Sequence, residues 1–146
     1  MKIYLDNCCF NRPFDDQSQI RIRLETEAKL EIQADIQDGI FELVWSYILE
    51  AENMVNPFEE RKKAIQDWKR YSSMVVKEEE KILGKATQLN HAGLRSKDAL
   101  HIACAVLARC KYFITTDDKI INKQSLITGL SLIDPIGFIK EIYNDN

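Results

Sequence analysis

Ser96-Lys97-Asp98-Ala99-Leu100-His101-Ile102-Ala103-Cys104-Ala105-Val106-Leu107-Ala108 decides how the rest of the chain is read. Beyond Asp98 the segment reads as a helix that is apolar on nearly every face, and a helix apolar all round is buried all round. Asp98 and His101 are its only ionisable residues between Lys97 and Arg109. Ser96 is placed to cap this helix, and Asp98 then falls in the first turn, where the helix dipole favours a negative charge. His101 lies three residues on, on the same face. Two readings follow. In one, Asp98 is a dipole-favoured starting residue and His101 a core histidine hydrogen-bonded to it. In the other, Asp98 faces an ion, because a carboxylate is rarely buried without a paired charge or a metal.

Around this helix, short apolar runs alternate with helical patterns. Lys2-Ile3-Tyr4-Leu5 is a β-prone run closed by Asp6, and Asn11 to Asp16 is a loop rich in turn residues. From Gln19 to Gln37, Ile20, Leu24, Ala28, Ile32 and Ile36 recur every four residues, Glu25 precedes Lys29 at a pairing distance, and the remaining charge reads as a solvated face. Gly39 can end that helix in a left-handed conformation. Ile40 to Trp45 reads as a second strand, followed by a short helix from Tyr47 to Glu52. Asn56-Pro57-Phe58-Glu59 resembles a capping box with proline in the first turn, opening a helix to about Tyr71. Met74 to Val76 is a weak strand, and a helix from Glu78 ends near Gly93. Tyr112 to Thr115 and Leu130 to Ile133 are the last strands, with a short helix from Asp118 between them and a helix from Pro135 after them. Alternation of this kind predicts an α/β fold with a central parallel sheet covered by helices on both faces. With no repeat, linker or low-complexity tract, one domain over residues 1–146 is expected.

Composition narrows the function. The chain has 146 residues, 45% hydrophobic and 29% charged, with a net charge of −3, which speaks against binding nucleic acid by bulk positive charge. Four acids gathered on a metal would, however, leave the remainder slightly basic. Cys8, Cys9, Cys104 and Cys110 include no C-x-x-C pair and only two histidines accompany them, so neither a zinc site nor a disulfide framework is expected. The cysteines read as reduced, mostly core residues. No run is long and apolar enough to span a bilayer, and Met1 to Asp6 is not a signal peptide, so a cytoplasmic location is expected.

Asp6 and Asp117 both follow strands and so belong to the carboxyl edge of the sheet, where open α/β folds bind ligands. Asp98 and Glu52 lie on segments whose helices start at, or lead from, that same edge. Glu50 and Glu52, two residues apart, point to different faces, so at most one turns inward. Each acid also has an ordinary reading, as a turn or first-turn residue. If all four converge, they require a cation between them, and an oxygen-only ligand set suits Mg²⁺ or Mn²⁺, the ions of phosphodiester chemistry. The absence of a Gly-rich phosphate loop disfavours an NTPase or a dinucleotide enzyme. Arg12, and the basic stretch that begins with Arg61 and Lys62, are candidate backbone-binding residues for RNA, or else solvated charges.

Leu5-Asp6 after the first strand, Ser46 through Glu52, Asp98-Ala99-Leu100-His101-Ile102-Ala103 and Phe113-Ile114-Thr115-Thr116-Asp117 together resemble, in order and over nearly the whole chain, the PIN-domain family, which includes the VapC-type toxins. The resemblance implies a three-layer α/β/α sandwich and a Mg²⁺- or Mn²⁺-dependent endoribonuclease, with Asp6, Glu52 (Glu50 one slot away), Asp98 and Asp117 on the metal and Asp118 as an extra ligand. It further implies that Thr115 orients the last acid or a water on the metal, with Asn7 and His101 supporting, and that a toxin role would bring a small antitoxin and a homodimer. Cys8 departs from the pattern, standing where many members carry Asn or Ser; Asn7 is the substitute nearest in sequence. A non-catalytic PIN-like module that binds RNA or protein is the alternative.

Overall fold

In a computed structural model, which describes residues 1–143, five parallel strands form one sheet: β1 (Lys2–Leu5), β2 (Glu42–Ser46), β3 (Ser72–Val76), β4 (Tyr112–Ile114) and β5 (Ser131–Ile133), in the order β3-β2-β1-β4-β5. Eight α-helices are described: α1 (Asn7–Asn11), α2 (Ile20–Gln37), α3 (Tyr47–Met54), α4 (Glu59–Gln66), α5 (Glu80–Ala92), α6 (Ser96–Leu107), α7 (Asp118–Ile121) and α8 (Pro135–Tyr143). Ile3, Tyr4 and Leu5 of β1 and Phe113 and Ile114 of β4 are fully buried on both sides of the pleat, the mark of a parallel sheet covered on both faces. The register sets Tyr4 beside Val44 on one side and Phe113 on the other, and the Tyr4 and Phe113 rings stack at 5.2 Å. Strand order reverses between β1 and β4. A crevice at such a switch point, beyond the carboxyl ends of the strands, is where open α/β sheets place ligands.

The alternating architecture agrees with the sequence pattern, but several local expectations are corrected. Asn11 to Asp16 is not simply a loop. Asn11 ends α1, and Arg12–Phe14 forms a 3-10 turn. Strand β2 begins at Glu42, because Ile40 lies exposed beyond the glycine turn. Gly39 does take a positive φ of 78°, as the helix stop requires. Asn56 does not cap a helix at Pro57. Its Oδ1 accepts from the Phe58 N–H at 3.1 Å, forming a turn, so α4 starts at Glu59 and tightens into a 3-10 turn over Asp67–Tyr71. Arg95, not Ser96, is the capping residue of α6, and no side chain caps it.

The largest correction is in α2. Ile20 and Leu24 are exposed, and the buried row instead runs Glu25, Lys29, Gln33, with Ile32 and Ile36 beside it. A four-residue repeat drifts around a helix of 3.6 residues per turn, so the apolar stripe meets the core only in its second half. Glu25 does not pair with Lys29: its oxygens take Arg12 at 2.9 Å and Arg21 at 3.2 Å. Lys29 is left in an aromatic setting, 5.6 Å from the Phe10 ring centre and 6.0 Å from that of Trp68, and burial lowers its pKa to about 8.

Phe113 sits at the centre of the sheet against Tyr4. Phe113→Ala is expected to cost about 3–5 kcal/mol of stability in urea unfolding.

Candidate metal centre

Asp6 leaves β1 with its N–H still bonded to the Ile114 carbonyl at 2.9 Å, and then caps α1. One carboxylate oxygen accepts from the Asn7 N–H at 2.8 Å and the other from the Thr115 hydroxyl at 2.8 Å. These two donors hold the carboxylate in one orientation although it is almost sealed from solvent. Thr115 directs its proton to Asp6, not to the side chain of Asp117. It accepts from the Asp117 N–H at 3.1 Å, so it fixes the backbone of the last acid and the side chain of the first. Cys8 fills the remaining space, its Sγ 3.5 Å from Asp6 Oδ2 and 3.4 Å from Thr115 Oγ1, and it accepts from the Thr116 N–H at 3.3 Å. The position taken by Asn or Ser in the resemblance is therefore occupied by Cys8 itself. Asn7 contributes its backbone, and its Oδ1 is buried without a partner.

Across the crevice, Glu52 on α3 bonds to Nε2 of the buried His101, and His101 Nδ1 bonds to the Tyr4 hydroxyl at 2.6 Å. Tyr4 in turn meets Ser46 Oγ at 2.6 Å, and Ser46 caps α3 by accepting from the Leu49 N–H at 3.2 Å. With His101 neutral, one assignment serves every donor: Leu49 N–H to Ser46, Ser46 to Tyr4, Tyr4 to His101, and His101 to Glu52. Burial opposes a charged His101, but the hydrogen bond to Glu52 and the charges of Asp6, Glu52 and Asp98 outweigh it and raise its pKa. His101 thus bonds to Glu52, not to Asp98. Oxygens of Asp6 and Glu52 and a ring nitrogen of His101 lie within 4.8 Å of one another, a group that could hold a metal ion. Glu50 is turned away, its carboxylate taken by Trp45 Nε1 at 3.0 Å, Gln66 at 3.2 Å and Lys69 at 3.2 Å.

Asp98 and Asp117 stand at the rim of this group. Arg95 lies between them, 3.5 Å from Asp98 and 3.7 Å from Asp117, and Lys97 is 3.8 Å from Glu52. Burial and then Asp6 raise the Asp98 pKa; Arg95 and His101 oppose this and Asp117 adds to it. Asp6 and Asp117 thus add repulsion to the burial cost of an ionised Asp98, and a divalent ion would relieve that repulsion.

Asp118 does not join them. It is exposed and grips Arg21 through two bonds of 2.7 and 2.8 Å, which holds its pKa low. Arg12 is likewise not free for a phosphate, being committed to the sealed Glu25 and to Asp15 at 3.1 Å. Arg61 donates to the Phe14 carbonyl at 2.7 Å and lies 4.4 Å from the Phe58 ring centre. Lys62 is partly buried and lines a pocket with Glu50, Glu59 and Glu60. Ser46, which opened one of the motif stretches, enters through its bond to Tyr4. The residues that the sequence did not single out for the site are Tyr4, Arg95 and Lys97, and of these only Tyr4 carried a signal, as a hydroxyl in a strand destined for full burial.

No family model and no curated protein matches the chain. Solved structures do. VapBC2 from Rickettsia felis, bound to a DNA fragment from its promoter, superposes with a TM-score of 0.57 at 14% identity. VapBC-1 from nontypeable Haemophilus influenzae superposes with a TM-score of 0.57 at 17% identity. Each match covers 92% of this chain and 98% of the other. The chain has a PIN-like fold. In this PIN-like chain Asp6 and Asp117 leave the carboxyl ends of the two strands that flank the switch point, and among the described residues no helix is long and apolar enough to cross a membrane.

A carboxyl group whose pKa is raised above the unfolded value of 3.8 lends stability below that value and loses it as pH rises through the folded pKa. Metal-free protein is therefore expected to lose stability relative to Asp98→Asn on going from about pH 4 to 7, as read by thermal melting, and Arg95→Ala should enlarge the loss. Tyr4→Phe strips His101 Nδ1 of its partner and is expected to cost about 1–3 kcal/mol in urea unfolding.

Proposed function

We propose that this chain is a metal-dependent endoribonuclease in which Asp6, Glu52, Asp98 and Asp117 hold Mg²⁺ or Mn²⁺. The observation that carries the reading is the gathering of acids from β1, α3, α6 and the loop after β4 at one edge of the sheet, where burial, and then the charge of Asp6, raise the Asp98 pKa. An ion held by these residues would supply water activated at neutral pH and charge to offset that building on a phosphodiester.

The chain's own groups have separable tasks. Asp6 is aimed by the Asn7 N–H and the Thr115 hydroxyl. His101, with both ring nitrogens engaged, positions Glu52. Arg95 and Lys97, long and exposed beside the acids, are suited to meet backbone phosphates once an ion takes over their role as counter-charges. This assigns RNA contact to the rim of the centre in place of Arg12 and Arg61. By analogy with the VapBC complexes, a small antitoxin is the expected protein partner and a homodimer the expected assembly, in the cytoplasm.

A second reading is favoured by one contact. Arg95 already bridges Asp98 and Asp117, so the acids could be a self-neutralised structural cluster in a non-catalytic binding module. Calorimetric titration with Mn²⁺ separates the two. The nuclease reading expects saturable binding by the wild type and loss of at least about tenfold in affinity in Asp98→Asn, with cleavage of a structured RNA abolished in Asp6→Asn. Absence of binding in the wild type rejects the nuclease reading and leaves the module.

A further inference from the structure

The buried row of α2 has a feature that neither the fold nor the metal centre uses. Glu25 is satisfied by two arginines, but Lys29, 4% exposed, makes no hydrogen bond or ion pair among the described residues. One turn on, the Gln33 amide Nε2 is also buried without a partner. Both side chains line a cavity of about 150 Å³ whose other walls include Phe10 of α1, Phe14, Ile65 of α4 and Trp68. An ammonium held against apolar walls without an anion is disfavoured, and aromatic faces offset only part of that. The depressed Lys29 pKa is the same penalty expressed as proton loss.

We propose that this cavity binds a small monocarboxylate with an apolar body, its carboxylate seated on the Lys29 ammonium and its body against Phe10 and Trp68. A single buried cation matches a single negative charge. Phosphate carries more charge and more oxygens than Lys29 and Gln33 can serve, and the apolar walls offer it nothing. The cavity is separate from the metal centre: the acids gather at the Asp6 end of α1, and Phe10 lies at its other end. The site stands or falls independently of the nuclease reading.

The test is calorimetry on the full chain with butyrate and benzoate, alongside benzamide as the uncharged analogue of benzoate and inorganic phosphate as the competing anion. The indole N–H resonance of Trp68 reports whether binding occurs at this cavity. Saturable binding of a carboxylate that shifts the Trp68 signal is expected, with benzamide and phosphate roughly tenfold weaker or more. Lys29→Met, which keeps the volume and removes the charge, should fold, melt no lower than the wild type and bind carboxylate about thirtyfold more weakly or worse. Lys29→Gln repeats the measurement should the Met variant not fold. The proposal is overturned if neither carboxylate binds the folded wild type, if a folded Lys29 variant binds as well as the wild type, or if phosphate binds as tightly as carboxylate.

Discussion

Strand β1 is paired in parallel on both sides, and this constrains everything beyond its carboxyl end. Because β2 and β4 run in the same direction, the segments leaving all three strands emerge at one edge: Asp6 from β1, Ser46 and α3 from β2, and Thr115 and Asp117 from β4. The Asp6 N–H to Ile114 bond extends the pairing one residue past the strand, so the carboxylate starts from a backbone fixed by the sheet. The Thr115 hydroxyl then locks it from the neighbouring strand. A loop acid would have needed its own packing to reach the same precision. Here the ladder supplies it.

Helix α6 carries out a second task set by burial. A histidine and a tyrosine sealed in the same core must satisfy one another, and they do so through a chain of hydrogen bonds from the Leu49 N–H to Glu52, crossing β1, β2, α3 and α6. Every member has a partner, which is the condition under which a buried polar network adds specificity instead of strain. Glu52 is thereby aimed into the crevice by a side chain on another helix. Glu50, two residues earlier on the same helix, is drawn the opposite way by Trp45 and Lys69.

These facts explain what was legible in the sequence. Parallel strands closed by acids, and a helix apolar all round, were readable because burial on both faces leaves a compositional trace. The choice of Glu52 over Glu50 was readable only as a resemblance, since no spacing rule says which of two faces meets His101. Helix α2 misled for a physical reason: the periodicity of its apolar residues says nothing about Arg12 and Arg21, which arrive from other parts of the chain and permit Glu25 to be buried. The same blindness hid the solitary Lys29. Arg12 and Asp118 looked like functional candidates because their partners, Glu25 and Arg21, lie well away in sequence and come close only on folding.

Electrostatics ties the crevice to its surroundings. Asp6 is served by fixed donors, but Asp98 and Asp117 share only Arg95, and Glu52 has His101 and the end of Lys97. Ion pairs made by exposed arginine and lysine side chains are weak and readily exchanged. The inner part of the centre is therefore rigid, and the outer part is balanced by cations that can leave. On the proposed reading, a divalent ion at this site would gain the attraction of several carboxylates and would displace the counter-charges Arg95 and Lys97. A rigid inner acid and an outer pair held by exchangeable charge form one arrangement, in which, on the same reading, binding of an ion and of an anionic chain would be coupled by charge.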